Sequence, residues 1–281
     1  MYLYLMLLLE FSSLTICMPT NPKTTVISKA SNSVVDKKGL ILPFNTPVQA
    51  ILKLLDVWWV FNYEPIKPVG IPNLIPFCPM VNGSGVIQQL NTMNELATLG
   101  LKGVDDVLLG FYRPDDRQYA NLTVEKAIEL WPALVETGRR IGSPITFENP
   151  LLPNSWLRRF MNETKQKKLR VNFVNIGWSG NSSIEFLQFI NQTYYEFKKP
   201  VWITEITYTN GIGSNHTLDQ VIAFMHDVIP PLYTLRFIER FSWSNPQDFN
   251  STFNFFNEHG NLTMLGETYA SFYDTVHRIK G

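Results

Sequence analysis

The chain has 281 residues, 45% hydrophobic and 17% charged, with 24 Lys and Arg against 24 Asp and Glu and a formal net charge of zero. A domain of this size buries roughly three quarters of the surface its unfolded chain exposes, so it needs neither disulfides nor a metal to hold a core. Intrinsic disorder is excluded by this composition, and nucleic-acid binding by the lack of a basic run, since clustered cations are needed to displace counterions from phosphates.

In chain order, Tyr2 to Leu9 is a short apolar run followed by the small residues Ser12, Ser13, Thr15 and Cys17. It reads as a secretory signal peptide over residues 1–17, cleaved near Met18, with a polar connector over 18–36. Eight acceptor patterns for N-glycosylation agree with export: Asn82, Asn121, Asn162, Asn181, Asn191, Asn215, Asn250 and Asn261 each have Ser or Thr two residues on and no intervening Pro. No second apolar run reaches membrane length, so the expectation is a secreted protein, free of the membrane after cleavage and monomeric by default. Two cysteines, Cys17 and Cys78, form no disulfide framework or metal motif, and the four His show no ligand spacing, so no metal and no cofactor are expected.

From 37 to 281 apolar strand-like runs alternate with helical patterns. The expected strands are Gly39 to Leu42, Val57 to Tyr63, Leu74 to Val81, Asp106 to Phe111, Pro144 to Phe147, Arg170 to Trp178, Val201 to Ile206 and Ile238 to Trp243. Between them apolar residues recur at spacings of three and four, as in Ala127, Leu130, Trp131 and Leu134 after the cap-like Thr123, or Ile184, Phe186, Leu187 and Ile190 after Ser182 and Ser183. A clear helix is also expected between Val81 and Asp105. Nearly continuous apolar strands suit a parallel sheet buried on both faces, and the length suits a single-domain α/β (β/α)8 TIM barrel. A doubly wound open sheet is the rival; no Gly-x-Gly-x-x-Gly follows any strand to support a nucleotide site.

In a barrel, functional side chains project from the C-terminal ends of the strands. Trp202-Ile203-Thr204-Glu205 puts a lone carboxylate at such an end. Glycoside hydrolysis needs two carboxylates, so Glu205 fits a nucleophile; the competing reading is a structural Glu paired with a cation. Trp59, Tyr63, Trp178 and Trp243 fall in or at the ends of strands and suit stacking on a pyranose, with Tyr112 beside them and Asn62 and Asn245 placed to take hydroxyls. Trp131, Trp156 and Trp202 sit inside helix or strand patterns and are expected in the core.

The ordered set Gly110-Phe111-Tyr112-Arg113-Pro114-Asp115, Leu130-Trp131-Pro132, Gly142-Ser143-Pro144, Trp202-Ile203-Thr204-Glu205, Glu239-Arg240-Phe241-Ser242-Trp243 and Asn261-Leu262-Thr263 with Leu265-Gly266 and Tyr269 resembles glycoside hydrolase family 128, the secreted β-1,3-glucanases. The resemblance implies a (β/α)8 fold and a retaining mechanism, with an acid/base Glu after the fourth strand and the nucleophile, here Glu205, after the seventh. The family pattern Gly-Phe-Asn-Glu-Pro-Asp is broken by Tyr112-Arg113, and His-Trp-Tyr after the sixth strand becomes Gly177-Trp178-Ser179. Arg, with a pKa above about 12, shuttles no proton near neutrality. Arg113 is expected to face Glu205 and, if bidentate, to occupy both its oxygens. Glu148, after the fifth strand, is the candidate substitute acid, though a local capping role competes; Asp115 reads as holding its loop.

The leading expectation is therefore a secreted β-1,3-glucan-binding protein with hydrolysis weak or lost. The alternatives are an active retaining endo-β-1,3-glucanase using Glu205 and a displaced acid such as Glu148, or a pseudoenzyme that binds a non-glycan partner.

Overall fold

The computed structural model describes residues 37–42, 54–85, 88–91, 106–211, 215–244 and 253–273, all within one compact unit from Val34 to Gly281. The expected signal peptide and connector, most of the helix between Val81 and Asp105, and both Asn245 and Asn250 lie outside the described residues.

Eight strands are described: β1 (Lys38–Ile41), β2 (Trp59–Phe61), β3 (Phe77–Cys78), β4 (Val107–Leu108), β5 (Arg140–Ile141), β6 (Val174–Gly180), β7 (Val201–Tyr208) and β8 (Ile238–Trp243). Every pairing between them is parallel. Six form one sheet in the order β3-β2-β1-β8-β7-β6, and β4-β5 form a second. Isolated parallel bridges join Met80 to Leu109, between β3 and β4, and Gly142 to Phe173, between β5 and β6. The chain thus has an α/β fold built on parallel strands.

Two expected strands are corrected. The third pairs only over Phe77–Cys78, because Pro76 and Pro79 flank it and carry no N–H. The fifth is Arg140–Ile141 rather than Pro144 to Phe147; Ser143-Pro144 interrupts the ladder, and Ile145 keeps only a bridge to Tyr112.

Helices α1 (Val124–Glu136), α2 (Trp156–Gln166), α3 (Ser183–Phe197) and α4 (Leu218–Thr234) separate β4 to β8 in turn, and α5 (Met264–Ser271) follows β8. Each begins on a Ser or Thr whose hydroxyl accepts a first-turn N–H: Thr123, Ser155, Ser182, Thr217 and Thr263. Their apolar faces cover the outer face of the strands, where Trp131, Phe160, Phe186 and Phe224 meet Val174, Ile203 and Ile206. A second cluster fills the other face with Trp59, Phe61, Phe173 and Trp202. Trp131, Trp156 and Trp202 are in the core, as expected.

Trp59 is a correction. Its indole is 1% exposed, lies 5.4 Å from the Trp202 ring and donates to Lys37 O at 2.9 Å, so it is core and meets no ligand. A side chain at Gly39 would start 2.1 Å from Trp59 Cε2, so that glycine is what admits the ring. Alternation along the strand turns one of two consecutive tryptophans inward and leaves Trp58 exposed.

At the start of β1, adjacent lysines tie down two helices. Lys37 Nζ donates to the carbonyls of Leu232, Tyr233 and Leu235 at the end of α4. Lys38 Nζ donates to those of Tyr269, Ala270 and Phe272 at the end of α5. Helix C-termini leave carbonyls without intrahelical partners and carry partial negative charge, and each ammonium answers both.

Candidate functional site

Glu205 reaches the inner face of the sheet through a β-bulge. Along β7, Trp202 joins the inner cluster while Val201, Ile203 and Ile206 join the outer one. Strict alternation from Trp202 would turn residue 205 outward. Instead Ile203 pairs with Ile176 and Glu205 with Gly177, so Thr204 is the extra residue, and β8 shows the same slip between Ile203 and Ile206. One inserted residue re-aims the carboxylate to the side where Thr204 donates to Asn175 Oδ1 at 2.9 Å.

Around it stand side chains from the ends of neighbouring strands. Tyr63, just past β2, donates its hydroxyl to Glu205 Oε1 at 2.8 Å. Arg113 Nη2 is 3.5 Å from Glu205 Oε2, with the two side chains 26% and 12% exposed. Arg113 faces Glu205 but not as a bidentate clamp: this is one contact at the outer limit of a hydrogen bond, an attraction between charges more than a directed bond. Aromatic rings hold the guanidinium back, for its carbon lies 5.1 Å from the centroids of Tyr112 and Tyr119 and 5.3 Å from that of Phe147. Arg113 also adopts φ 44°, the left-handed region that costs a branched-free side chain energy and that often marks a functional turn. Its N–H donates to Ile145 O at 2.8 Å, which fixes the turn to the segment after β5. On the opposite flank Gly177 leaves Oε2 uncrowded, since even an added Cβ would stop 3.6 Å away.

Protonation here is one-sided. Burial first, and then the Glu205 charge, push the Tyr63 phenol far above the ordinary tyrosine range, and the same two causes raise Tyr112. Burial opposes the charged form of Arg113, but Tyr112 and Glu205 outweigh it and leave the guanidinium more basic than usual. The three side chains therefore present donors that keep their protons.

Asp115 holds the loop, as expected: its two oxygens accept from Phe147 N at 2.9 Å and Glu148 N at 2.7 Å. Glu148 is corrected as a substitute acid. Its Oε2 accepts from Trp156 N at 2.9 Å, at the first residue of α2, where the N-terminal dipole favours a carboxylate. Glu148→Gln is expected to lower stability by about 1 kcal/mol in urea unfolding and to leave glucan binding unchanged.

Asn62 is buried, and its Oδ1 accepts from Glu64 N in a local turn. Trp178 and Trp243 are corrected as sugar platforms. Trp178 lies against Phe186 and Phe189 of α3, and Trp243 is 3% exposed, near Phe224 of α4. Both alternate to the helix side of their strands. The sequence reading missed Tyr119 and Phe147, the rings that are exposed beside Arg113, at 46% and 69%. Neither lies in a strand, and only the clustering around residue 113 reveals them.

Among the described residues no group of three His, Cys, Asp or Glu is arranged to hold a metal, and no helix is long and apolar enough to cross a membrane. Asn121, Asn162, Asn181, Asn215 and Asn261 are exposed, while Asn82 and Asn191 are half-buried. Asn191 Nδ2 donates to Leu187 O at 2.7 Å within α3.

Residues 39–269 match the family described as glycosyl hydrolase catalytic core. No curated protein matches the chain closely enough to count as a relative. Among solved structures, the fold is similar to an endo-β-1,3-glucanase of glycoside hydrolase family 128 from Amycolatopsis mediterranei in complex with laminaritriose. That likeness has a TM-score of 0.73 and 25% identity, covering 84% of this chain and 98% of that one. An endo-β-1,3-glucanase from Sorangium cellulosum is similar at TM-score 0.68 and 22% identity, covering 85% and 99%. An exo-β-1,3-glucanase from Aureobasidium namibiae is similar at TM-score 0.68 and 17% identity, covering 85% and 97%.

Proposed function

The chain belongs to the glycosyl hydrolase catalytic core family, and on that premise we propose that it binds β-1,3-glucan with hydrolysis weak or lost. The observation that carries this is the Arg113–Glu205 pair. A retaining site needs a second carboxyl, about 5–5.5 Å from the first, to protonate the leaving oxygen and then to activate water. Among the described residues, Tyr63, Tyr112 and Arg113 stand beside Glu205, none able to release a proton near neutral pH. Loss of a general acid costs a retaining site on the order of 10²- to 10⁴-fold in rate and leaves the surface that holds sugar in place.

In this reading Tyr119 and Phe147 offer the apolar faces on which glucose rings stack. The eight strands close into a (β/α)8 barrel, supported by the pairing of β1 with both β2 and β8 and by the bridges at Met80 and Gly142. The protein is secreted and glycosylated; five exposed acceptor asparagines support that part.

Calorimetry with laminarihexaose tests the binding. The native chain should give heat, and Phe147→Ala and Tyr119→Ala should each weaken binding roughly five- to tenfold, the equivalent of about 1 kcal/mol for a lost aromatic contact. No heat from the native chain, or no loss in either variant, would remove the basis for the proposal.

A further inference from the structure

We infer that this site transfers a β-1,3-glucosyl chain from an activated donor to a small anion instead of to water, with Glu205 as the carrier and Arg113 as the anion's docking cation. The inference rests on the glucan-binding reading of the same cleft.

The two oxygens of Glu205 are held differently. Oε1 is held by the Tyr63 hydroxyl at 2.8 Å. Oε2 lies 3.5 Å from Arg113 Nη2 and faces the side that Gly177 leaves clear. Oε2 is thus the atom able to attack an anomeric carbon. With an ordinary glucan the first step stalls, because the leaving alkoxide must be protonated and no adjacent group among the described residues releases a proton. With a donor such as a glycosyl fluoride no proton is required: the C1–F bond breaks with its electron pair going to fluoride, and a C1–Oε2 bond forms.

Water then fails as the acceptor, since among the described residues no base stands beside Glu205 to take its proton. An anion needs none. Azide or inorganic phosphate attacks C1, the C1–Oε2 pair returns to Glu205, and the carboxylate is regenerated; two inversions preserve the β configuration. A second carboxylate at position 113 would repel such an anion. The guanidinium attracts it instead, and it is available to do so because three rings fix it in place and its tie to Glu205 is a single long contact.

The test is intact-protein mass spectrometry of the full chain with β-laminaribiosyl fluoride, alongside calorimetry with laminarihexaose. A mass gain of one disaccharide unit, located on Glu205 by peptide mapping and absent in Glu205→Gln of unchanged circular dichroism, is expected. Azide or phosphate should clear the adduct at least about tenfold faster than buffer and yield the glycosyl azide or phosphate. Arg113→Gln should still form the adduct but lose that acceleration. Heat without an adduct overturns the transfer inference and leaves glucan binding standing, as does an adduct that buffer clears as fast as azide. Neither heat nor adduct overturns both.

Discussion

Arg113→Glu is expected to raise the release of reducing ends from a soluble β-1,3-glucan by about 10²-fold or more over the native chain. The guanidinium comes within 3.5 Å of Glu205 Oε2. A Glu side chain ends roughly 2 Å shorter, so its carboxyl would stand about 5.5 Å away, in the range retaining enzymes require. The backbone adds no obstacle, because φ 44° is already borne by a non-glycine residue there. Surrounding rings that favour the guanidinium would favour a neutral carboxylic acid over a carboxylate, which suits the proton-donating half of the cycle. Restoring Asn at 112 as well is inadvisable: the Tyr112 ring lies 4.4 Å from Tyr63 and 5.0 Å from Tyr119, and deleting it would open a cavity costing about 3–5 kcal/mol. Unchanged glucan turnover in a folded Arg113→Glu protein would mean that the missing acid is not what silences the site.

Lys38→Met should lower unfolding stability by about 2–4 kcal/mol, measured in urea. The Lys38 side chain is fully buried, and its ammonium donates to the carbonyls of Tyr269, Ala270 and Phe272. Met matches the stem but leaves those oxygens without this donor, at the C-terminus of α5, where a positive charge is favourable. The more exposed Lys37→Met should cost about 1 kcal/mol, since water replaces the lost donor. Equal, small effects at both positions would contradict the assignment of Lys38 as an interior clamp.

Much of this was legible in order and spacing. The alternation of apolar strands with capped helices led to a parallel α/β fold, and the residues flanking Glu205 and Arg113 to the pairing of a carboxylate with a guanidinium. The tryptophan corrections share one cause. Trp59, Trp178 and Trp243 lie in or at the ends of strands, yet a strand sends successive side chains to opposite faces, and these three face the core or a helix. Glu148 was chosen for its place after the fifth strand, and only the start of α2 explains where its carboxylate goes.

The order of residues by itself settled which chemical groups are present: one carboxylate at the end of the seventh strand, a permanent cation where the resemblance implies an acid, and enough apolar surface for a single large core. Which of those groups meet was decided by tertiary structure. A single extra residue at Thr204 turns Glu205 inward, a left-handed turn carries Arg113 to it, and Tyr119 and Phe147 converge from separate loops. Side-chain direction depends on bulges and on contacts between segments far apart in sequence, and no local pattern encodes those.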